Sequence, residues 1–217
     1  MISEAEYAEY RLRMGAKGHF HAGVWWQERF PFYAKPMFEF RAFDPGSASP
    51  RWCRAPLGYS HWVRRVEHAN RFVEFMLLEG EALRGFSLET LPSKKRNQVR
   101  KGLKSCVVRL LDAPADHLDE IQEIYVSQAT RHLENYEAPD TSPRFYVEQR
   151  ETWERREKAL YSCRGREVWG AFVDGRLAAF LVTIQVEGVR VIEKAKSRTE
   201  ILSYCPSDAL YFSVLRF

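Results

Sequence analysis

Polar and apolar positions follow two rhythms in the second half of the chain. Residues 115–133 carry Leu118, Ile121, Ile124 and Tyr125, the spacing of one face of a helix. Residues 143–161 continue as a second, strongly charged helix, and the loop EAPDTSP separates the two. Before them, LPSKKRNQVRKGLKS (91–105) predicts a basic helix capped by Ser93, with Val99 and Leu103 packing beneath, and Cys106–Leu111 predicts a compact strand. From Val168 the period becomes two. Segments 168–173, 176–186 and 189–196 are divided by Asp174–Gly175 and Glu187–Gly188, which predicts a three-stranded antiparallel meander. Pro206 then opens a helical segment with Ser207 and Asp208 in its first turn.

The first half is less regular. Residues 3–14 predict a helix, with Ser3 and Glu6 spaced as a capping box. Aromatics crowd residues 18–43, and Met37–Phe43 alternates as a strand. The turn-rich DPGSASP (44–50) follows, and 71–78 reads as a strand closed by Gly80. This contrast predicts an aromatic-rich N-terminal region over 1–86 and a clearer α/β unit of the α+β type over 87–217. The aromatic block suits stacking on a base or sugar; it equally suits a second small core or a lid.

Composition changes the picture only modestly. The 217 residues are 45% hydrophobic and 29% charged, a globular balance. No apolar stretch is long enough to span a bilayer, and the acidic start has no signal-peptide pattern, so a soluble cytoplasmic protein without membrane attachment is expected. The four cysteines are far apart with no CxxC spacing, as expected of reduced thiols. His19-x-His21 is the closest histidine pair and lacks a nearby carboxylate at ligand spacing, so no metal is expected. A net charge of +4 is mild, yet it suits an anionic cofactor or RNA. No GxSxG, Walker A or GxGxxG motif occurs.

The order of elements, namely basic helix, strand, two helices, antiparallel meander and Pro-led helix, resembles the GNAT superfamily of acyltransferases. More narrowly, SKKRNQVRKGLKSCVVRLL (93–111), VDGRLAAFLV (173–182) and CPSDALYFSVL (205–215) are similar to phrases of its Fem-type (FemAB-like) branch. The likeness covers about residues 87–217, and it rests on the order of the phrases rather than on any one of them. It implies a GNAT-like mixed sheet with flanking helices, and transfer of an acyl group from an activated carrier to a small-molecule or peptide amine. Acetyl-CoA or another acyl-CoA, or an aminoacyl-tRNA, is the implied carrier. One departure bears on the carrier: residues 197–209 contain no glycine, whereas a Gly-rich loop is what lets backbone N–H groups reach a pyrophosphate.

Glu193 on the third meander strand is the candidate catalytic base, with Val191 on its face and Ile192 and Lys194 on the other. A surface ion pair with Lys194, Lys196 or Arg190 is its plainer role. Tyr204 is the candidate acid for the leaving group. Ala195, Ser197, Ser207 and Asp208 are candidate cofactor contacts, the last two at a helix start where free N–H groups attract anions. An ordinary cap by Ser207 competes with that role, and Asp208 would repel a phosphate. Arg96 and Arg100 share a helix face with Lys104 and form a candidate phosphate clamp or a solvated surface. The rival expectation is a non-catalytic module on a degenerate GNAT-like scaffold, binding RNA or an acidic partner. Because the last helix reaches Phe217 uncapped and the meander leaves an open sheet edge, further strands are expected beyond it.

Overall fold

A computed structural model of the chain describes residues 1–29, 32–72, 78–132 and 142–217. They form two compact units: Met1–Met76 with Gln185–Val189, and Leu77–Ile184 with Arg190–Phe217.

In the first unit, α1 (Glu4–Arg13) begins with the expected capping box. The Glu6 N–H donates to the Ser3 hydroxyl at 3.2 Å, and the Ser3 N–H donates to the Glu6 carboxylate at 2.8 Å. Strands β1 (Gly18–His21), β2 (Val24–Arg29) and β3 (Tyr33–Pro36) form an antiparallel sheet in that order. A two-residue turn at Ala22 and Gly23, both at positive φ, joins β1 to β2. Trp26 is fully buried among Val24, Ala34, Phe43, Ala48 and Ala55, so much of the aromatic block is a small core. The strand expected over Met37–Phe43 does not form. Met37 and Phe38 are neighbours and both are buried, which a period of two cannot satisfy; Phe38 instead sets its ring edge-on to Tyr7. The strand expected over 71–78 falls on residues 73–77, outside the described residues.

The second unit runs α2 (Gly80–Arg84), α3 (Ser93–Ser105), β4 (Val107–Leu110), α4 (Leu118–Arg131), α5 (Pro143–Glu148), α6 (Arg150–Tyr161), β5 (Arg166–Val173), β6 (Arg176–Val186), β7 (Val189–Ser197) and α7 (Pro206–Arg216). Its sheet has the order β4-β5-β6-β7. The meander is therefore present as expected. Both of its turns are two residues long with positive φ throughout, at Asp174–Gly175 and Glu187–Gly188. Two helix expectations change. The helix over 143–161 breaks at Gln149, which leaves helical geometry, and Ser142 caps the first piece by accepting from the Phe145 N–H at 3.2 Å. Ser93 is the first helical residue of α3 rather than its cap, and Pro92 precedes it with no side chain to offer.

The sheet is covered on both faces, which gives the α/β architecture. On one face Ile121, Ile124 and Tyr125 of α4 and Trp153 of α6 meet Val168 and Phe172 of β5 and Phe180 and Val182 of β6. On the other, Leu210 and Val214 of α7 meet Trp169, Ala171 and Leu181. Alternation fails once in β6: the pairing passes from Ala171–Ala179 to Phe172–Leu177, so Ala178 is the extra residue of a bulge. Helices α3 and α7 approach closely at Gly102. A Cβ there would lie 2.5 Å from the Cys205 carbonyl oxygen and 3.0 Å from Ala209 Cβ.

Candidate functional site

The chemistry-bearing side chains of the second unit gather on β7 and the segment that leads from it into α7. Ile192 and Ala195 both pack on the α7 side of the sheet. Glu193 and Lys194, between them, both reach groups on the α4–α6 side. Three residues cannot separate two same-face positions in a regular strand, so β7 bulges here. The expectation that Glu193 and Lys194 lie on opposite faces is thereby corrected. It assumed unbroken alternation.

Glu193 is held by Arg166 in a two-pronged pair. Nε donates to Oε2 at 2.7 Å and Nη2 donates to Oε1 at 2.8 Å, while Nη1 donates to the Leu160 carbonyl at 2.9 Å. The Arg166 side chain is 2% exposed. The partner of Glu193 is thus none of the three cations weighed in the sequence; it lies 27 residues away on β5.

Lys194 enters a buried polar cluster centred on Glu157 of α6. The Lys194 ammonium donates to Glu157 Oε1 at 2.8 Å and to the Tyr125 hydroxyl at 3.0 Å. Tyr125 donates to the same carboxylate at 3.1 Å, and Tyr161 donates to Oε2 at 2.8 Å. Burial, and then the neighbouring Glu157 charge, push both phenols above their ordinary pKa, because ionising either would place a second anion beside the first. Lys196 stands beside this cluster and forms no ion pair among the described residues. Its amine donates to Gln128 Oε1 at 2.7 Å and sits 4.6 Å from the centre of the Tyr125 ring. Burial first, and the Lys194 charge second, lower its pKa. Nothing in the sequence marks this cluster except the Lys-x-Lys spacing on a strand.

Beyond β7, Ser197 is buried. Arg198 is buried too: its backbone N–H donates to the Ala178 carbonyl at 2.9 Å, its Nε to the Leu177 carbonyl at 2.7 Å and its Nη2 to Glu123 at 2.6 Å. It thus binds two successive carbonyls at the β6 bulge. Thr199 and Glu200 bond to Ser127 of α4. Tyr204 lies exposed in a short 3-10 turn, and Cys205 follows in the left-handed region at φ 57. Ser207 does not cap α7. Cys205 occupies that place, and among the described residues no side chain caps the N–H groups of the first turn. Asp208 pairs with Lys95 of α3 at 2.7 Å. Arg96 is partly buried and Arg100 exposed, and neither takes part in an ion pair among the described residues. The candidate residues therefore fall into two groups, Glu193 near α6 and Ser207, Asp208 and Tyr204 around the start of α7. In the first unit, His19 pairs with Glu28 at 3.3 Å and accepts the Arg51 N–H, while His21 bonds the Ser49 carbonyl. Among the described residues no cluster could hold a metal ion, and no helix is long and apolar enough to cross a membrane.

The antiparallel sheet, its two helical layers and the bulged strand that leads into an uncapped helix define a GNAT-like fold. Neither a family model nor a curated protein matches the chain. Among solved structures, the C-terminal domain (DUF2156) of a protein named as a lysylphosphatidylglycerol synthetase from Agrobacterium fabrum is 12% identical. The likeness covers 99% of this chain and 74% of that one at a TM-score of 0.55. A protein of unknown function from Bacteroides thetaiotaomicron is 16% identical, covering 59% of this chain at a TM-score of 0.37; the chain spans 43% of its length. A probable acetyltransferase from Staphylococcus epidermidis is 16% identical, covering 48% of this chain and 68% of that one at a TM-score of 0.27. Of the three, the Agrobacterium domain carries the argument, and at its identity it speaks for the fold alone. None of them speaks for the Fem-type branch.

Proposed function

We propose that the chain is the frame of an acyltransferase, moving an acyl group from an activated carrier to an amine. One observation carries the reading: β7 bulges at Glu193–Lys194 and leads into α7, whose first turn keeps its N–H groups free of any side-chain cap. A bulge frees backbone donors to polarise a carbonyl, and an open helix start attracts the anionic part of a carrier. The amine attacks the carbonyl carbon, and the carrier's oxygen or sulfur leaves. In this reading Glu193 takes the ammonium proton once the acceptor has displaced Arg166, Tyr204 protonates the leaving group, and Ala195, Ser197 and Ser207 line the carrier's path. The carrier is an acyl-CoA or an aminoacyl-tRNA. The second belongs with the Fem-type branch, and the missing glycine loop together with the Lys95–Asp208 pair favours it.

The same two features also support a rival in which α3 binds RNA or an acidic partner without chemistry, using Arg96, Arg100 and the exposed lysines around them. Thermal unfolding with acetyl-CoA, with aminoacyl-tRNA and with uncharged RNA separates the readings. A carrier at 100-fold its Kd contributes about 2.7 kcal/mol, or roughly 5–10 °C for a chain of this size. Stabilisation by a carrier together with acyl transfer to an added amine supports the enzyme. Equal stabilisation by any RNA, falling steeply with salt and without transfer, overturns it.

A further inference from the structure

The two lysines that flank Ala195 share one aromatic ring and one acid, and the acid is already taken. Lys194 and Lys196 lie on the same side of β7, with their ammonium nitrogens 5.7 and 4.6 Å from the centre of the Tyr125 ring. The Glu157 carboxylate bears on both. Its oxygens accept from Lys194, Tyr125 and Tyr161, which leaves Lys196 a neutral partner, Gln128. Lys196 is therefore a half-buried cation that shares a ring with a like charge and is compensated by an amide and a π-face. Burial and the like charge bear against the charged form and so favour the free amine, which is the nucleophilic one. Burial and Lys194 push its proton off, while the Glu157 charge, the Gln128 oxygen and the Tyr125 ring hold it on.

We propose that Lys196 is a covalent acylation site of this protein, its amine taking an acyl group from an activated carboxyl such as a thioester or mixed anhydride. The neutral Nζ attacks the carbonyl carbon, and a C–N bond forms. The bond from that carbon to the leaving oxygen or sulfur breaks, its electron pair leaving with the heteroatom. The nitrogen's extra proton passes to the leaving group or to water. The product is a neutral amide, so the charge opposed to Lys194 is gone. The identity of the natural donor rests on the acyltransferase reading; the reactivity of the amine does not.

Competitive labelling with limiting acetic anhydride, read residue by residue by peptide mass spectrometry on the folded chain, tests it. At pH 7 Lys196 is expected to acetylate roughly 3–10-fold faster than the exposed Lys94, Lys101 and Lys104, because each unit of pKa depression raises the free-amine fraction about tenfold and burial offsets part of that gain. Its rate should level off at a lower pH than an ordinary lysine's would. Replacing Lys194 by Met frees Glu157 to pair with Lys196, so the excess should fall towards unity in a chain whose urea midpoint shows that it remains folded. Labelling no faster than the surface lysines, or an excess untouched by K194M, overturns the proposal. Labelling by the anhydride but not by acetyl-CoA or aminoacyl-tRNA counts against the acyltransferase reading and leaves the site standing.

Discussion

Arg166 and Glu193 meet through two near-parallel hydrogen bonds of 2.7 and 2.8 Å, the guanidinium almost wholly out of solvent and bound at the same time to the Leu160 carbonyl of α6. The pair ties β5, the bulge of β7 and the end of α6 into one unit. Removing one partner strands the other charge. Arg166→Met is expected to cost about 3 kcal/mol, the low end for a broken buried pair, since the Glu193 side chain keeps 20% exposure. Glu193→Gln should cost about 1–2 kcal/mol by turning one acceptor into a donor that faces a donor. Urea unfolding measures both, and a loss below about 0.5 kcal/mol for R166M would show the pair to be dispensable. Were E193Q to keep full transfer activity, Glu193 would hold the strand without taking a proton.

Stability should rise with pH over part of the alkaline range because of Lys196. Its folded pKa lies below the ordinary 10.5, so between the two values the unfolded chain binds a proton that the folded chain does not. In that window unfolding becomes less favourable as pH rises. The urea midpoint is expected to climb as the pH rises past the lowered pKa of Lys196 towards pH 10. Lys196→Met should raise the pH 7 midpoint and flatten the climb. An unchanged slope in K196M would assign the climb to other groups.

Above about pH 10 the trend reverses. Tyr125 and Tyr161 hold their protons in the folded chain well past the point where unfolded tyrosines lose theirs, so stability falls as pH rises through the ordinary value of 10.0. Phenolate absorbance should therefore show two tyrosines that titrate only as the circular dichroism signal collapses. Tyr125→Phe and Tyr161→Phe each remove one donor to Glu157 and should cost about 1–3 kcal/mol.

Gly102 is expected to tolerate no side chain. Ala at that position sets a methyl 2.5 Å from the Cys205 carbonyl oxygen, a backbone atom that moves only if α7 moves. The expected loss is about 1–3 kcal/mol by urea unfolding. If carriers bind at the start of α7, the same change should weaken them beyond what the lost stability explains. Wild-type stability in G102A would mean that the two helices part readily.

What the chain's pattern reveals is local chemistry. Asp174–Gly175 and Glu187–Gly188 are two-residue turns whose geometry depends on the residues themselves, and Pro206 fits the first turn of a helix wherever that helix lies; both readings hold. The face assignment of Glu193 and Lys194 fails because alternation is a property of regular strands, and a bulge is set by what packs on either side. The partnership with Arg166 spans 27 positions and two strands, and periodicity does not see it. Gln149 looks like any polar helix residue, and the break there follows from packing α5 and α6 separately. Met37–Phe43 has the spacing of a strand, yet its adjacent Met37 and Phe38 both turn inward. The Glu157 cluster was invisible for the same reason as the Arg166 pair: its members come from α4, α6 and β7, and each looks ordinary in its own segment.

Arg198 grips the Leu177 and Ala178 carbonyls at the head of β6 from a position just past the tail of β7, so the hairpin between those points behaves like a measured loop of rope with both ends made fast. Adding or deleting one residue there, without a further bulge to absorb it, would turn every later side chain to the wrong face or drag the guanidinium off its carbonyls. Length variation among natural versions of this hairpin should therefore come in steps of two and be concentrated at its tip, around Glu187–Gly188.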